Sequence, residues 1–121
     1  MEAAYVFAVT FRLRPAGGVW VEPETFETRL YRPADPPGEP GWLFFRDNLW
    51  RGELGDPEHF RDLSNAALGV EVESVEFRAF ETDQRYLDEL KGAIRAHLTE
   101  FKADSVSETL NKYFASSIEV R

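Results

Sequence analysis

Gly41-Trp42-Leu43-Phe44-Phe45-Arg46-Asp47-Asn48-Leu49-Trp50-Arg51-Gly52 is the most aromatic run of the chain, and its conformation decides what covers the sheet. It holds two of the three tryptophans, two adjacent phenylalanines and two arginines between bounding glycines. Read as a helix, it places Trp42, Phe45 and Leu49 at core spacing and stacks Trp42, Arg46 and Trp50 at i, i+4 and i+8. Asp47 then precedes Arg51 by four, the favoured ion-pair orientation, and Gly52 ends the helix with Arg51 in its last turn. Read as a hairpin, it turns at Asp47-Asn48 between Trp42–Arg46 and Leu49–Leu54. The helix is the preferred reading.

Upstream, residues 4–14 alternate: Tyr5, Phe7, Val9, Phe11 and Leu13 share one face, and Thr10, Arg12 and Arg14 the other, as in a half-buried strand. Pro15-Ala16-Gly17-Gly18 reads as a turn, and Phe26, Thr28 and Leu30 share a face of a second strand. A two-residue loop at Gly17-Gly18 would set Val9 opposite Phe26, Phe7 opposite Thr28 and Tyr5 opposite Leu30. It would also set Phe11 against Glu24, so a bulge or splay is expected near Pro23. Residues 33–41 carry four prolines and read as a stiff loop too short to divide domains.

Downstream, Asp56-Pro57-Glu58 is a helix start, with Phe60, Leu63 and Ala67 inward and Gly69 as the stop. In Val70–Phe80, Val70 and Val72 share one parity, whereas Val75, Phe77 and Ala79 share the other, so a bulge near Ser74, or a strand that begins there, is expected. Thr82 or Asp83 caps a long helix to about Phe101, striped by Leu87, Leu90, Ile94, His97, Leu98 and Phe101. A short helix from Ser105 to Phe114 and a last strand at Ser116–Arg121 complete the chain. The expectation is a single α+β domain over 1–121. Its four-stranded sheet is mostly antiparallel, its helices pack on one face, and the order is β-β-α-α-β-α-α-β.

The chain has 121 residues, 43% of them hydrophobic and 14% aromatic, enough for one folded core. With no cysteine, disulfides, thiolate metal sites and cysteine nucleophiles are excluded. No apolar run approaches a membrane span, and the amino terminus lacks the pattern of a signal peptide, so a soluble cytoplasmic protein is expected. The net charge of −8 argues against general nucleic-acid binding. Only Lys91, Lys102 and Lys112 are lysine and the other eleven basic residues are arginine. Excess acid with scarce lysine fits either a protein of concentrated salt, where screening reaches about 3 Å at 1 M, or ordinary acidity with arginine bias.

No catalytic or cofactor motif is present, and no cofactor is expected. His59 and Asp62 lie i, i+3 beside Glu58, but no second cluster completes a metal site. His97 on an apolar stripe reads as a packed histidine ahead of a general base. Asp88-Glu89, Glu71 and Glu73 read as charged surface, and Ser105 and Ser107 as helix caps. Gly17-Gly18 lacks the lysine and following helix of a phosphate loop. The candidate partner or ligand surface is Trp42, Arg46, Trp50 and Arg51, because arginine between indoles can form a cation–π stack and because Trp and Arg dominate binding hot spots. The competing reading makes both tryptophans core anchors. Candidate partners are another protein or a second copy of the chain. The alternative function is a small metal-independent enzyme or binder acting on an anionic small molecule, with His59 or His97 as its titrating group.

The run Phe44-Phe45-Arg46-Asp47-Asn48-Leu49-Trp50-Arg51-Gly52-Glu53-Leu54-Gly55, together with Ala103-Asp104-Ser105-Val106 and Ser116-Ser117-Ile118, resembles a small haloarchaeal family, the LWR-salt proteins. The family takes its title from the tripeptide that here is Leu49-Trp50-Arg51. The resemblance covers nearly the whole chain and implies a high-salt cytoplasm. It implies no activity, so no catalytic residue is carried over.

Overall fold

A computed structural model describes all residues, 1–121. Strands β1 (Ala3–Arg12) and β2 (Thr25–Pro33) are followed by a single helical turn, α1 (Phe44–Asn48), and a small hairpin, β3 (Leu49–Trp50) and β4 (Glu53–Leu54). Helix α2 (Pro57–Leu68) precedes the long strand β5 (Glu71–Thr82). Then come α3 (Gln84–Ala96), α4 (Leu98–Phe101), α5 (Val106–Phe114) and β6 (Ile118–Val120). The main sheet has four strands in the order β2-β1-β5-β6.

The fold is α+β, but the sheet is mixed. β1 runs antiparallel to β2 and β5, whereas β6 runs parallel to β5. The reason is the connection: three helices lie between β5 and β6, and a helical crossover returns the chain in its original direction.

Tyr5, Phe7 and Val9 of β1 point into one aromatic core. Every helix adds to that core: Phe45 from α1, Phe60 from α2, Leu90 and Ile94 from α3, Phe101 from α4 and Phe114 from α5. Val6 and Ala8 alternate with these residues, lie outside this cluster and are also buried. Ion pairs join the end of β1 and the residues just past it to β5, Arg12 with Glu73 at 2.8 Å and Arg14 with Glu71 at 2.6 Å.

The β1–β2 register differs by two residues from a tight Gly17-Gly18 turn. Phe11 faces Phe26, Val9 faces Thr28, Phe7 faces Leu30 and Tyr5 faces Arg32. The faces are preserved, and the unfavourable Phe11–Glu24 pairing becomes a stacked Phe11–Phe26 pair at 5.7 Å. Pro23 lies outside the strand, in the long connection, and no bulge forms beside it. On β5 the parity change is resolved by two irregularities. One leaves Glu73 unmatched, next to Ser74 as expected, and a second leaves Arg78 unmatched. Together they keep Val72, Val75, Phe77 and Phe80 all in the core.

Helix α2 begins as its sequence dictates: the Asp56 carboxylate accepts from the His59 amide, and Gly69 closes it in the left-handed region. Leu63 and Ala67 depart from the inward expectation: both are exposed, and Ser64 is buried with Phe60 instead. The long helix expected to Phe101 breaks at His97, whose φ of −130° separates α3 from α4. Asp83 caps α3 through the Tyr86 amide, and that hydrogen bond holds its carboxyl below the usual range.

Tyr86 ties the proline-rich loop to α3, its hydroxyl donating to the Asp35 carbonyl at 2.6 Å. Burial, with the Asp35 charge second, pushes its pKa up to about 12 from an ordinary 10.0. Buried Tyr5 is shifted in the same direction. The folded chain therefore keeps protons that the unfolded chain releases. The stability that this shift contributes is fully present below pH 10.0 and is lost as pH rises through about 12. Urea midpoints across that window should fall steeply in the native chain and less steeply in Tyr86→Phe. Equal slopes in the two proteins would exclude Tyr86 as a source of the effect.

Candidate functional site

The central stretch is neither one helix nor a hairpin turning at Asp47-Asn48. It is one helical turn joined to a hairpin that turns four residues later, at Arg51-Gly52. The Asn48 side-chain Nδ2 donates to the Phe44 carbonyl, and Leu49 leaves the helix with extended dihedrals. Leu49 then pairs with Leu54, and Trp50 with Glu53, leaving Arg51-Gly52 as the two-residue turn. Both turn residues have positive φ, 51° and 79°, as a type I′ turn requires. The Asp47–Arg51 pair expected of a helix does not form, and Asp47 instead binds Arg46 at 3.0 Å.

The turn is docked on the end of α5. The Arg51 amide donates to the Lys112 carbonyl and the Gly52 amide to the Tyr113 carbonyl, each at 2.9 Å. These are carbonyls that a helix terminus leaves without partners, so the hairpin serves as a cap supplied from elsewhere in the sequence. Gly52 is needed for contact as well as for φ: a Cβ there would sit 3.1 Å from the Phe114 carbonyl oxygen.

The tripeptide thus divides three tasks. Leu49 is buried in the core. Trp50 turns outward, 48% exposed, with its ring edge-on to Tyr113 at 6.2 Å. Arg51 forms the turn and lays its guanidinium 5.6 Å from the Trp50 ring centre. Lys112 approaches the same ring at 5.7 Å, held in place by donating to the Phe101 carbonyl at 2.8 Å. Trp50, Arg51, Glu108, Asn111, Lys112 and Ala115 line a shallow depression of about 450 Å³.

The expected row of Trp42, Arg46 and Trp50 is not formed, because the helix that would align it stops at Asn48. Trp42 is a core residue, 8% exposed, packed on Phe45 and Phe101 with His97 over its outer side. The two indoles are the ends of a chain of rings, Trp42–Phe45–Tyr113–Trp50, with successive centroids 6.2, 5.5 and 6.2 Å apart. Only the Trp50 end reaches solvent. Arg46 stacks on neither indole. It borders the patch through Tyr113, whose pKa burial pushes up and the Arg46 charge draws back.

Lys112 and Tyr113 contact Trp50 in the candidate site, and sequence reasoning missed both. Their spacing in α5 shows nothing of their meeting with Trp50, which depends on the hairpin docking across more than 60 residues of chain. The backbone at this junction is strained: Arg51 and Ala115, both lining the depression, are non-glycine residues with φ of 51°.

The remaining candidates lie apart. His97 is exposed rather than packed inside, with Nδ1 2.8 Å from the Ala93 carbonyl. His59 is exposed on α2 against Phe60, and neither histidine lines the Trp50 depression. No group of three or more His, Asp or Glu side chains is placed to hold a metal ion. Ser105 caps α5, its hydroxyl accepting from the Glu108 amide. No helix is long and apolar enough to cross a membrane.

A family model described as LWR-salt protein matches residues 1–121, the whole chain. No curated protein and no solved structure matches it.

Proposed function

From the premise that the chain belongs to the LWR-salt protein family, we propose that it is a non-catalytic interaction module whose contact surface is Trp50 with Arg51 and Lys112. One observation carries this reading. An indole left half exposed is held between two cations on a strained, docked turn, in a protein whose net charge is −8. Exposed tryptophan flanked by arginine is the composition of a binding hot spot. Two cations in an acidic chain select an acidic partner surface. The setting we infer is a high-salt cytoplasm, in line with excess acid and scarce lysine. There the cation–π contacts to Trp50 and its apolar face would carry recognition while long-range charge is screened.

An enzyme acting on an anionic small molecule would need a titrating group beside these cations. His59 and His97 stand elsewhere, and the one carboxylate lining the depression, Glu108, accepts from the Asp104 amide at 3.0 Å, which favours binding over turnover. The test compares the native protein with Arg51→Ala as bait in multimolar KCl, scored by mass spectrometry. Arg51 makes no ion pair in the chain, and alanine retains the same backbone restriction, so the thermal midpoint should stay within about 2 °C, the range of a surface change. A companion held by the native chain should be retained at least about tenfold less well by Arg51→Ala, corresponding to about 1.4 kcal/mol. Equal retention by both baits would reject this surface.

A further inference from the structure

The sheet has two edge strands, the three-residue β6 and the nine-residue β2, which pairs only with β1. Its sequence and flanks read Pro23-Glu24-Thr25-Phe26-Glu27-Thr28-Arg29-Leu30-Tyr31-Arg32-Pro33. About Thr28 this is a palindrome with the charge sign inverted. Glutamates at 24 and 27 mirror arginines at 32 and 29, Phe26 mirrors Leu30, and Pro23 mirrors Pro33.

The ladder shows which groups are available. Leu13 donates to the Glu24 carbonyl and Ala34 to the Ala3 carbonyl, so the even-numbered residues of β2 direct their backbone groups at β1. The odd-numbered residues Thr25, Glu27, Arg29 and Tyr31 therefore present theirs to solvent. A two-fold antiparallel pairing of this edge with itself can be centred on Glu27, Thr28 or Arg29. Centring on Glu27 or Arg29 sets like charges directly opposite, which is unfavourable. Centring on Thr28 sets Glu27 against Arg29 of the second copy and Arg29 against its Glu27. It also sets Glu24 against Arg32, Phe26 against Leu30 and Thr25 against Tyr31. At both ends Pro23 meets Pro33, so the ladder stops where neither strand has an N–H to offer.

Two features of the single chain agree with this register. Glu27 and Arg29 are exposed and enter no ion pair within the chain, although nearby Arg12, Arg14 and Arg78 all do. Tyr31 is 57% exposed on the same edge, next to an apolar groove of about 310 Å³ between β2 and α2. We propose that β2 pairs with β2 of a second copy about Thr28, joining two four-stranded sheets into one continuous sheet. The occupant of the edge is thus another copy of this chain. The surface shares no residue with the Trp50 patch, so either proposal can fail alone.

The test is oligomeric state by light scattering and sedimentation over a KCl series, since copies of charge −8 repel one another in dilute buffer. The native chain should have twice the mass of one chain. At the lowest salt that supports the dimer, Glu27→Arg or Arg29→Glu alone turns two attractive pairs into two repulsive ones. Each should raise the dimer dissociation constant about tenfold or more. The double variant Glu27→Arg/Arg29→Glu exchanges the charges and should restore it. Because the chain has no cysteine, Thr28→Cys should cross-link to its own copy: the residue on the axis faces itself at about 4.5 Å between Cα atoms, within disulfide range. Thr25→Cys should not, since it faces Tyr31. If a charge variant fails to fold, the two cysteine variants decide the matter. A monomer at every salt concentration, a dimer indifferent to both reversals, or cross-linking at 25 as fast as at 28 overturns the pairing.

Discussion

Replacing Phe45 with alanine is expected to remove about 3–5 kcal/mol of folding stability, the largest loss of any single truncation in the central stretch. The side chain is 1% exposed and meets four other rings, Trp42, Phe101, Tyr113 and Phe114, with centroids between 5.1 and 6.2 Å. These rings come from the loop before α1, from α4 and from α5, so one truncation opens a void where three segments converge. The damage should also reach the surface, because Tyr113 is the ring against which Trp50 rests. Urea unfolding gives the measure: the midpoint should drop while the slope holds. Trp50→Ala is the counterpart. Its ring is half in water, and the loss should stay below about 1 kcal/mol. If Phe45→Ala cost no more than Trp50→Ala, the core would not be organised around this turn.

The sequence was most legible where one physical signal acted alone. Asp56-Pro57 and Gly69 bracket α2, and Ser105 opens α5, because caps are local chemistry. The change of parity in β5 announced a bulge beside Ser74, since only an extra residue can return Val72 and Val75 to one face. A second bulge at Arg78 was hidden: Phe77 and Ala79 have the same parity, and the core residue beyond them is Phe80 rather than Ala79. The hairpin register failed for a related reason. Two glycines at positive φ resemble a complete turn, yet the connection between β1 and β2 runs from Leu13 to Glu24.

The candidate site was legible only in part. Trp50 and Arg51 were identified by composition, but Trp42 was grouped with them on the strength of a helical repeat that ends at Asn48. Local propensity could not foresee that ending. The carbonyls of α5 receive the amides of the Arg51-Gly52 turn, a tertiary contact, and arginine gives no sequence signal for positive φ. The same blindness concealed Lys112, whose position over Trp50 is a tertiary fact.

That docking makes Gly52→Ala the second large expectation. Two costs apply. Alanine at a φ of +79° is disfavoured, and its Cβ would stand 3.1 Å from the Phe114 carbonyl oxygen and 3.4 Å from the Ala115 Cβ. Gly69 separates them. It has a φ of +67° and open space where a Cβ would go, so Gly69→Ala carries the dihedral penalty alone, about 1 kcal/mol. Gly52→Ala should therefore lose about 2–3 kcal/mol, the excess measuring how tightly the hairpin sits on α5. Relief requires the turn to lift from the helix, which would break the amide bonds to Lys112 and Tyr113 and carry Arg51 away from Trp50. The variant should consequently weaken partner retention as well as stability, whereas Gly69→Ala changes stability only. Equal losses from the two glycines would mean that the turn has room to spare, and that the placement of Trp50 and Arg51 does not depend on the end of α5.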